Sequence, residues 1–217
     1  MEKALISPSI LAADFLNLGR DIAALNRSDC DWIHVDVMDG HFVPEVSFGQ
    51  PVIRAIKKIA EKPLDVHLMI ENPLPAIESF VKAGADRLTF HLEAAEDPLA
   101  VIRKIHNCGL PAAIAIKPGT PVEEVEPFLS ELDMVLIMTV EPGFGGQPIL
   151  PETIDKIRRL SAKIREEGRN VLIEADGGIK FDNAGLLREA GLDVFVSGSC
   201  LFRGNPEENI TEFIKRL

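Results

Sequence analysis

Between Trp32 and Met38 the chain alternates strictly. Ile33, Val35 and Val37 fall on one side; His34, Asp36 and Met38 fall on the other. That is the period of a β-strand, and because the flanking sequence reads as helix, both faces are expected to be buried. Short apolar or alternating runs of this kind recur at Leu5–Ile10, Trp32–Met38, Leu64–Met69, Arg87–His91, Ala112–Ile116, Met134–Thr139, Val171–Ala175 and Val194–Ser197. Between and after them lie stretches with helical spacing: Leu16–Asn26, Pro51–Ala60, Pro73–Ala83, Asp97–Cys108, Pro121–Leu129, Pro151–Glu167, Asn183–Ala190 and Pro206–Leu217. Pro51 suits a first helical turn, where its missing N–H costs nothing, and Gly84, Gly109, Gly168 and Gly191 stand where helices stop. Strand–helix units in series predict parallel strands joined by right-handed crossovers. An open doubly wound sheet and a closed barrel both satisfy that rule. Eight evenly spaced units favour an α/β fold of the (β/α)8 TIM-barrel type. No linker or composition shift divides the chain, so one catalytic domain over 1–217 is expected.

Composition narrows the partners. The 217 residues carry a formal net charge of -11, which argues against a sequence-independent grip on nucleic acid or on an anionic membrane. A small anionic substrate stays compatible, because a local site can be lined with amides. Cys30, Cys108 and Cys200 form no close pair, so they suggest neither a disulfide framework nor a zinc–thiolate site and fit a reducing compartment. Met1–Pro8 lacks a signal-peptide core and no apolar run is long enough to span a membrane, so a cytoplasmic protein is expected. Barrels of this type associate, and a homo-oligomer is expected, although no interface stripe stands out.

Barrel enzymes carry their sites at the C-terminal ends of the strands. There this sequence places Ser7 and Ser9, then His34, Asp36 and Met38, then His67 and Met69, then His91 and Glu93, Lys117, Met138, Glu174 with Asp176, and Ser197. His34, Asp36, His67 and Asp176 would converge as a mixed nitrogen and oxygen set suited to one divalent ion, Zn2+, Fe2+ or Mn2+. Two unrelated ion pairs in the barrel mouth are the plainer alternative. His91 is at best an outer partner of such a set; His41 and His106 read as surface or loop residues. Glycines form a second group: Gly143, Gly145 and Gly146 in Glu141–Gln147, Gly177–Gly178, and Gly198–Ser199. Glycine lets backbone N–H groups close on an anion, and the loops after the last barrel strands are a recurrent phosphate site. Ser199–Phe202 is expected to be a short helix offering its N-terminus to that phosphate. Met38, Met69 and Met138 suggest a polarizable apolar cover; gap-filling core is the bland reading of each.

Ser7–Asp14, His34–Pro44, Asp65–Met69 and Val140–Gln147 resemble, in order and over nearly the whole chain, the ribulose-phosphate 3-epimerase family. The resemblance implies interconversion of D-ribulose 5-phosphate and D-xylulose 5-phosphate, a pentose phosphate pathway step, through a metal-stabilised enediolate. It implies a divalent metal on His34, Asp36, His67 and Asp176, with Asp36 and Asp176 as the acid/base pair. It implies substrate contacts from Ser9, His67, Met38, Met69 and Met138, and phosphate contacts from Gly145, Gly146, Gly177, Gly178, Gly198 and Ser199, with Gly143 and Gln147 in the same loop. Inversion next to a ketone needs a proton removed from one face and another returned to the opposite face, which two carboxylates from distant strands supply. Three positions depart from the family's habit: Glu45 where Asn is frequent, Ala175 where Val is usual, and Cys200 where Ala is frequent. The nearest alternative is a related ketose-phosphate epimerase acting on D-allulose 6-phosphate. A barrel decarboxylase, a tryptophan-pathway isomerase and a non-catalytic sugar-phosphate binder are more distant ones. The glycines of Gly143–Ile149 also suit a closing lid.

Overall fold

Parallel strands joined by crossovers must be covered on both faces, and the outer faces of these strands are almost wholly apolar. The computed structural model describes residues 3–217. Its strands are β1 (Leu5–Pro8), β2 (Ile33–Met38), β3 (Leu64–Met69), β4 (Arg87–His91), β5 (Ala112–Ile116), β6 (Met134–Met138), β7 (Leu172–Asp176) and β8 (Val194–Ser197). All neighbours pair in parallel, in the order β1-β8-β7-β6-β5-β4-β3-β2. The ring closes between β1 and β2 through a parallel bridge from Ser9 to His34 and N–H donation from Asp31 and Trp32 to the Ile6 carbonyl. The fold is therefore the expected (β/α)8 barrel, and its seam lies at the predicted site.

The outer layer holds α1 (Leu18–Arg27), α2 (Gln50–Lys57), α3 (Ile77–Ala83), α4 (Pro98–Asn107), α5 (Glu152–Glu166), α6 (Ala184–Glu189) and α7 (Pro206–Ile214). Asp97 accepts from the Ala100 N–H at 3.1 Å to start α4, and Asn205 accepts from Glu207 to start α7. Gly84 ends α3 at φ +113, where its N–H reaches the Phe80 carbonyl. Between β5 and β6 the expected helix is instead a 3-10 helix, Val122–Glu131. Pro127 lies inside it and cannot supply an interior helix N–H, which disfavours α geometry. Ser199–Phe202 is also corrected: it is a single turn, closed by donation from Leu201 and Phe202 to the Gly198 carbonyl.

Outward strand residues such as Ile33, Val35, Val37 and Phe195 are buried under the helices. Phe195 meets Phe213 of α7 edge-on at 6.2 Å. Each such side chain contributes about 1.5–3 kcal/mol. The barrel interior is divided. Ala115, Leu136, Met138 and Val140 make one apolar group, and Trp32, Ala113, Met134 and Val194 close the N-terminal end. The Arg87 guanidinium lies 3.5 Å from the Trp32 ring centroid. Opposite, β2, β3 and β7 fill the interior with His34, Asp36, Asp65, His67 and Glu174, all buried.

Candidate active site

Register decides which inward side chains meet. β2 and β3 pair His34 with Asp65, Asp36 with His67, and Met38 with Met69. Asp176 arrives from the end of β7, across the barrel. One ligand atom each from His34, Asp36, His67 and Asp176 lies within 4.8 Å of the others. His34 Nε2 is 3.2 Å from Asp36 Oδ1 and 3.9 Å from Asp176 Oδ2; His67 Nδ1 is 3.3 Å and 3.7 Å from the same two oxygens. Ser9, from the loop after β1, donates its hydroxyl to Asp36 Oδ2 at 2.5 Å. The four expected ligands and Ser9 are thus brought together.

The surroundings favour positive charge at the centre. Burial alone would push Asp36 up, but His34 and His67 hold its carboxyl well below the usual range. Burial would lower His34, yet Asp36 and Asp65 raise it well above its ordinary value. His67 is raised against burial by its bonds to Asp176 and Asp36. His34 Nδ1–H donates to Asp65 Oδ2 at 2.7 Å, which turns Nε2 toward the cluster. That Nε2 is buried with no hydrogen-bond partner, a costly state that a cation would relieve.

The sequence pattern assigns no role to Asp65, and it places Glu174 at a strand end without one. The signal was available: they stand two residues before His67 and Asp176, hence on the same inner face one layer deeper. Glu174 Oε1 is 3.8 Å from His34 Nδ1. Burial and the Asp65 charge raise the Glu174 carboxyl well above its ordinary value. His91 is fully buried, its Nε2 2.9 Å from His67 Nε2. Burial lowers its pKa to about 4 and keeps it neutral. Burial would raise Glu93, but bonds from His91, Thr120 and the Lys117 N–H bring it to about 2. Exposed His41 and His106 stand apart.

Beside the cluster opens a cavity of about 540 Å³. Asp36 and Asp176 line its floor, with Met38, Met69 and Met138 on its walls. Gly143, Gly145, Gly146, Gly177, Gly178, Gly198 and Ser199 also line it. Gly177 has φ +113 and Gly178 φ +66, and a Cβ on Gly178 would sit 2.7 Å from the Gln147 carbonyl and the Ile149 nitrogen. Gln147 faces elsewhere; its amide donates to the Glu141 and Phe144 carbonyls and braces its own loop. Lys180, also missed, is the one cationic side chain on the cavity wall among the described residues, against Glu45, Glu141, Asp36 and Asp176. Its side chain follows the Gly177–Gly178 pair by two residues, a placement that proximity along the chain would have revealed.

The arrangement offers two carboxylates and two imidazoles at one end of a pocket and a glycine-rich wall at the other. Residues 5–202 match the model of the ribulose-phosphate 3 epimerase family. The chain is 47% identical to a ribulose-phosphate 3-epimerase of Rhodobacter capsulatus, covering 92% of this chain and 86% of that one. It is 39% identical to the enzyme of the same name from Candida glabrata, covering 99% and 92%. Among solved structures, 3-hexulose-6-phosphate synthase superposes over the whole of both chains with a TM-score of 0.70 at 16% identity, a likeness of fold.

Proposed function

Since this chain belongs to the ribulose-phosphate 3-epimerase family and is an isomerase, we propose that it interconverts D-ribulose 5-phosphate and D-xylulose 5-phosphate by moving the proton at C3. The observation that carries this is the convergence of Asp36 and Asp176 on one cavity floor beside a glycine-lined wall. Asp36 and Asp176 are the proposed acid/base pair. One takes the C3 proton to leave an enediolate and the other returns a proton to the opposite face; they exchange protonation states each turnover. Ser9 holds Asp36 Oδ2 and so aims the carboxylate. Met38, Met69 and Met138 keep water from the reactive carbon. The amides of Gly145, Gly146, Gly177, Gly178, Gly198 and Ser199 are the proposed phosphate cradle.

The family is metal-dependent, and the residues fit an ion: four ligand atoms are grouped and His34 Nε2 is buried with no hydrogen-bond partner. His34, Asp36, His67 and Asp176 would hold it, with Zn2+, Fe2+ and Mn2+ all suited to the set. When bound, it supplies Lewis-acid stabilisation of the negative charge that develops beside the ketone. Among the described residues no helix is long and apolar enough to cross a membrane. A cytoplasmic setting is in keeping with three free cysteines, and exposed Phe15, Leu16 and Val46 offer apolar surface for the proposed homo-oligomer. We take residues 1–217 as one catalytic domain.

The test is a coupled assay of D-ribulose 5-phosphate epimerisation on metal-stripped protein, before and after adding Zn2+, Mn2+ or Fe2+. Activity should return with metal, and Asp176→Asn should fold normally yet turn over about 10²–10⁴ times more slowly. Activity on D-allulose 6-phosphate alone would move the assignment to the six-carbon sugar. Near-normal turnover in Asp176→Asn would remove that residue from the chemistry.

A further inference from the structure

His67 reaches the cluster through Nδ1, whereas His34 reaches it through Nε2. An imidazole offers a lone pair from one nitrogen only if its proton sits on the other, so His67 must carry its proton on Nε2. What fixes it there lies outside the four ligands. His67 Nε2 is 2.9 Å from His91 Nε2, and both rings are fully buried. His91 Nδ1 is in turn 3.2 Å from Glu93 Oε2. The other oxygen, Glu93 Oε1, accepts from the Lys117 N–H at 2.8 Å and from the Thr120 hydroxyl.

With His67 Nδ1 turned to the metal position, proton counting along this chain has one solution. Glu93 only accepts, so His91 Nδ1 carries the hydrogen between them. His67 Nδ1 faces the metal position, so that ring's own hydrogen sits on Nε2. Two nitrogens 2.9 Å apart share one hydrogen, which therefore belongs to His67 Nε2. His67 Nδ1 is left as the atom facing Asp36 and Asp176. Packing holds the chain in line: the His67 and His91 rings stack at 5.0 Å, and Phe42 packs on His91 at 4.7 Å.

We propose that Glu93, acting through His91, locks His67 in the tautomer whose Nδ1 lone pair faces the metal position, which makes Glu93 and His91 positioning residues for that ligand. This rests on the metal reading above. Glu93→Gln is a near-isosteric probe. Its amide oxygen would keep the Lys117 and Thr120 bonds, turning the NH2 toward His91. His91 Nδ1 must then accept, its Nε2 must donate, and His67 is pushed to carry its proton on Nδ1.

The experiment loads Co2+ into metal-stripped wild type, Glu93→Gln, Glu93→Asp and His67→Gln chains. Affinity is read by equilibrium dialysis and geometry by the visible absorption of the bound ion. Glu93→Gln should bind about 10–100-fold more weakly with an altered spectrum, as for other outer partners of metal ligands. Glu93→Asp, which restores an acceptor-only group, should lie closer to wild type. Wild-type affinity and spectrum in Glu93→Gln, with His67→Gln impaired, would overturn the relay and leave the metal site standing. Unimpaired binding in His67→Gln would overturn both. Should Glu93→Gln fail to fold, ring-nitrogen NMR of the Zn2+-loaded wild type decides: the proton should sit on His91 Nδ1 and His67 Nε2, and a proton on His91 Nε2 refutes the relay.

Discussion

A carboxyl group in the barrel interior must find a cation, find donors, or keep its proton. Asp36 has two imidazoles and the Ser9 hydroxyl, Asp65 has His34, and Glu174 has His34 at 3.8 Å but also the Asp65 charge beside it. Glu174 makes stability depend on pH with a definite sign. Its folded pKa is raised above the ordinary 4.5. Below that ordinary value folded and unfolded chains are both protonated and nothing is lost. Above it the unfolded chain ionises while the folded one does not, so stability falls as pH rises toward the folded pKa. Glu174→Gln cannot ionise and keeps a donor for Asp65. Metal-free Glu174→Gln should therefore lose less stability than wild type as pH rises above the ordinary 4.5, measured by urea midpoints. Parallel pH profiles would mean that Glu174 is ionised in the folded state.

Among the elements, the junction of the loops after β6 and β7 shapes the far end of the cavity. Thr139 ties it together, its N–H donating to the Asp176 carbonyl at 2.8 Å and its hydroxyl to the Gly177 carbonyl. Gly178 brings its backbone so close to Gln147 and Ile149 that a side chain would displace main chain, at a positive φ besides. Gly178→Ala should destabilise the fold by about 1–3 kcal/mol. It should also raise KM for the sugar phosphate severalfold or more while leaving Co2+ affinity unchanged, since the ion's ligands lie on strands. An unaltered KM would take this junction out of the phosphate site.

For the whole molecule, β2, β3 and β7 supply every proposed metal ligand, so a bound ion links facing sides of the barrel next to its β1–β2 seam. An ion that binds only the folded chain stabilises it by mass action, by about 2.7 kcal/mol at a free concentration of 100 Kd. For a chain of this size that amounts to roughly 5–11 °C in Tm. Calorimetry of metal-stripped protein with and without added Zn2+ measures it, and His34→Ala should abolish the rise. A rise that survives in His34→Ala would place the ion elsewhere.

Alternation and spacing along the chain were enough to specify eight strand–helix units, their order, the two faces of β2 and the four residues suited to a metal. These are properties of a single segment, and periodicity within about six residues expresses them. They were not enough to show that Val122–Glu131 is 3-10, that Ser199–Phe202 is one turn, or that Gln147 braces its own loop. Nor did they show that Asp65, Glu174 and Glu93 lie against the buried histidines His34 and His91. Which inward side chain touches which is decided by register between strands and by closure of the barrel, through contacts such as His34–Asp65, 31 residues apart, and Ser7–Asp65, 58 apart. The proton positions of His34 and His67 are likewise set by those cross-strand neighbours. A ring's tautomer is determined by what its second nitrogen meets, and only the folded barrel brings that atom into reach.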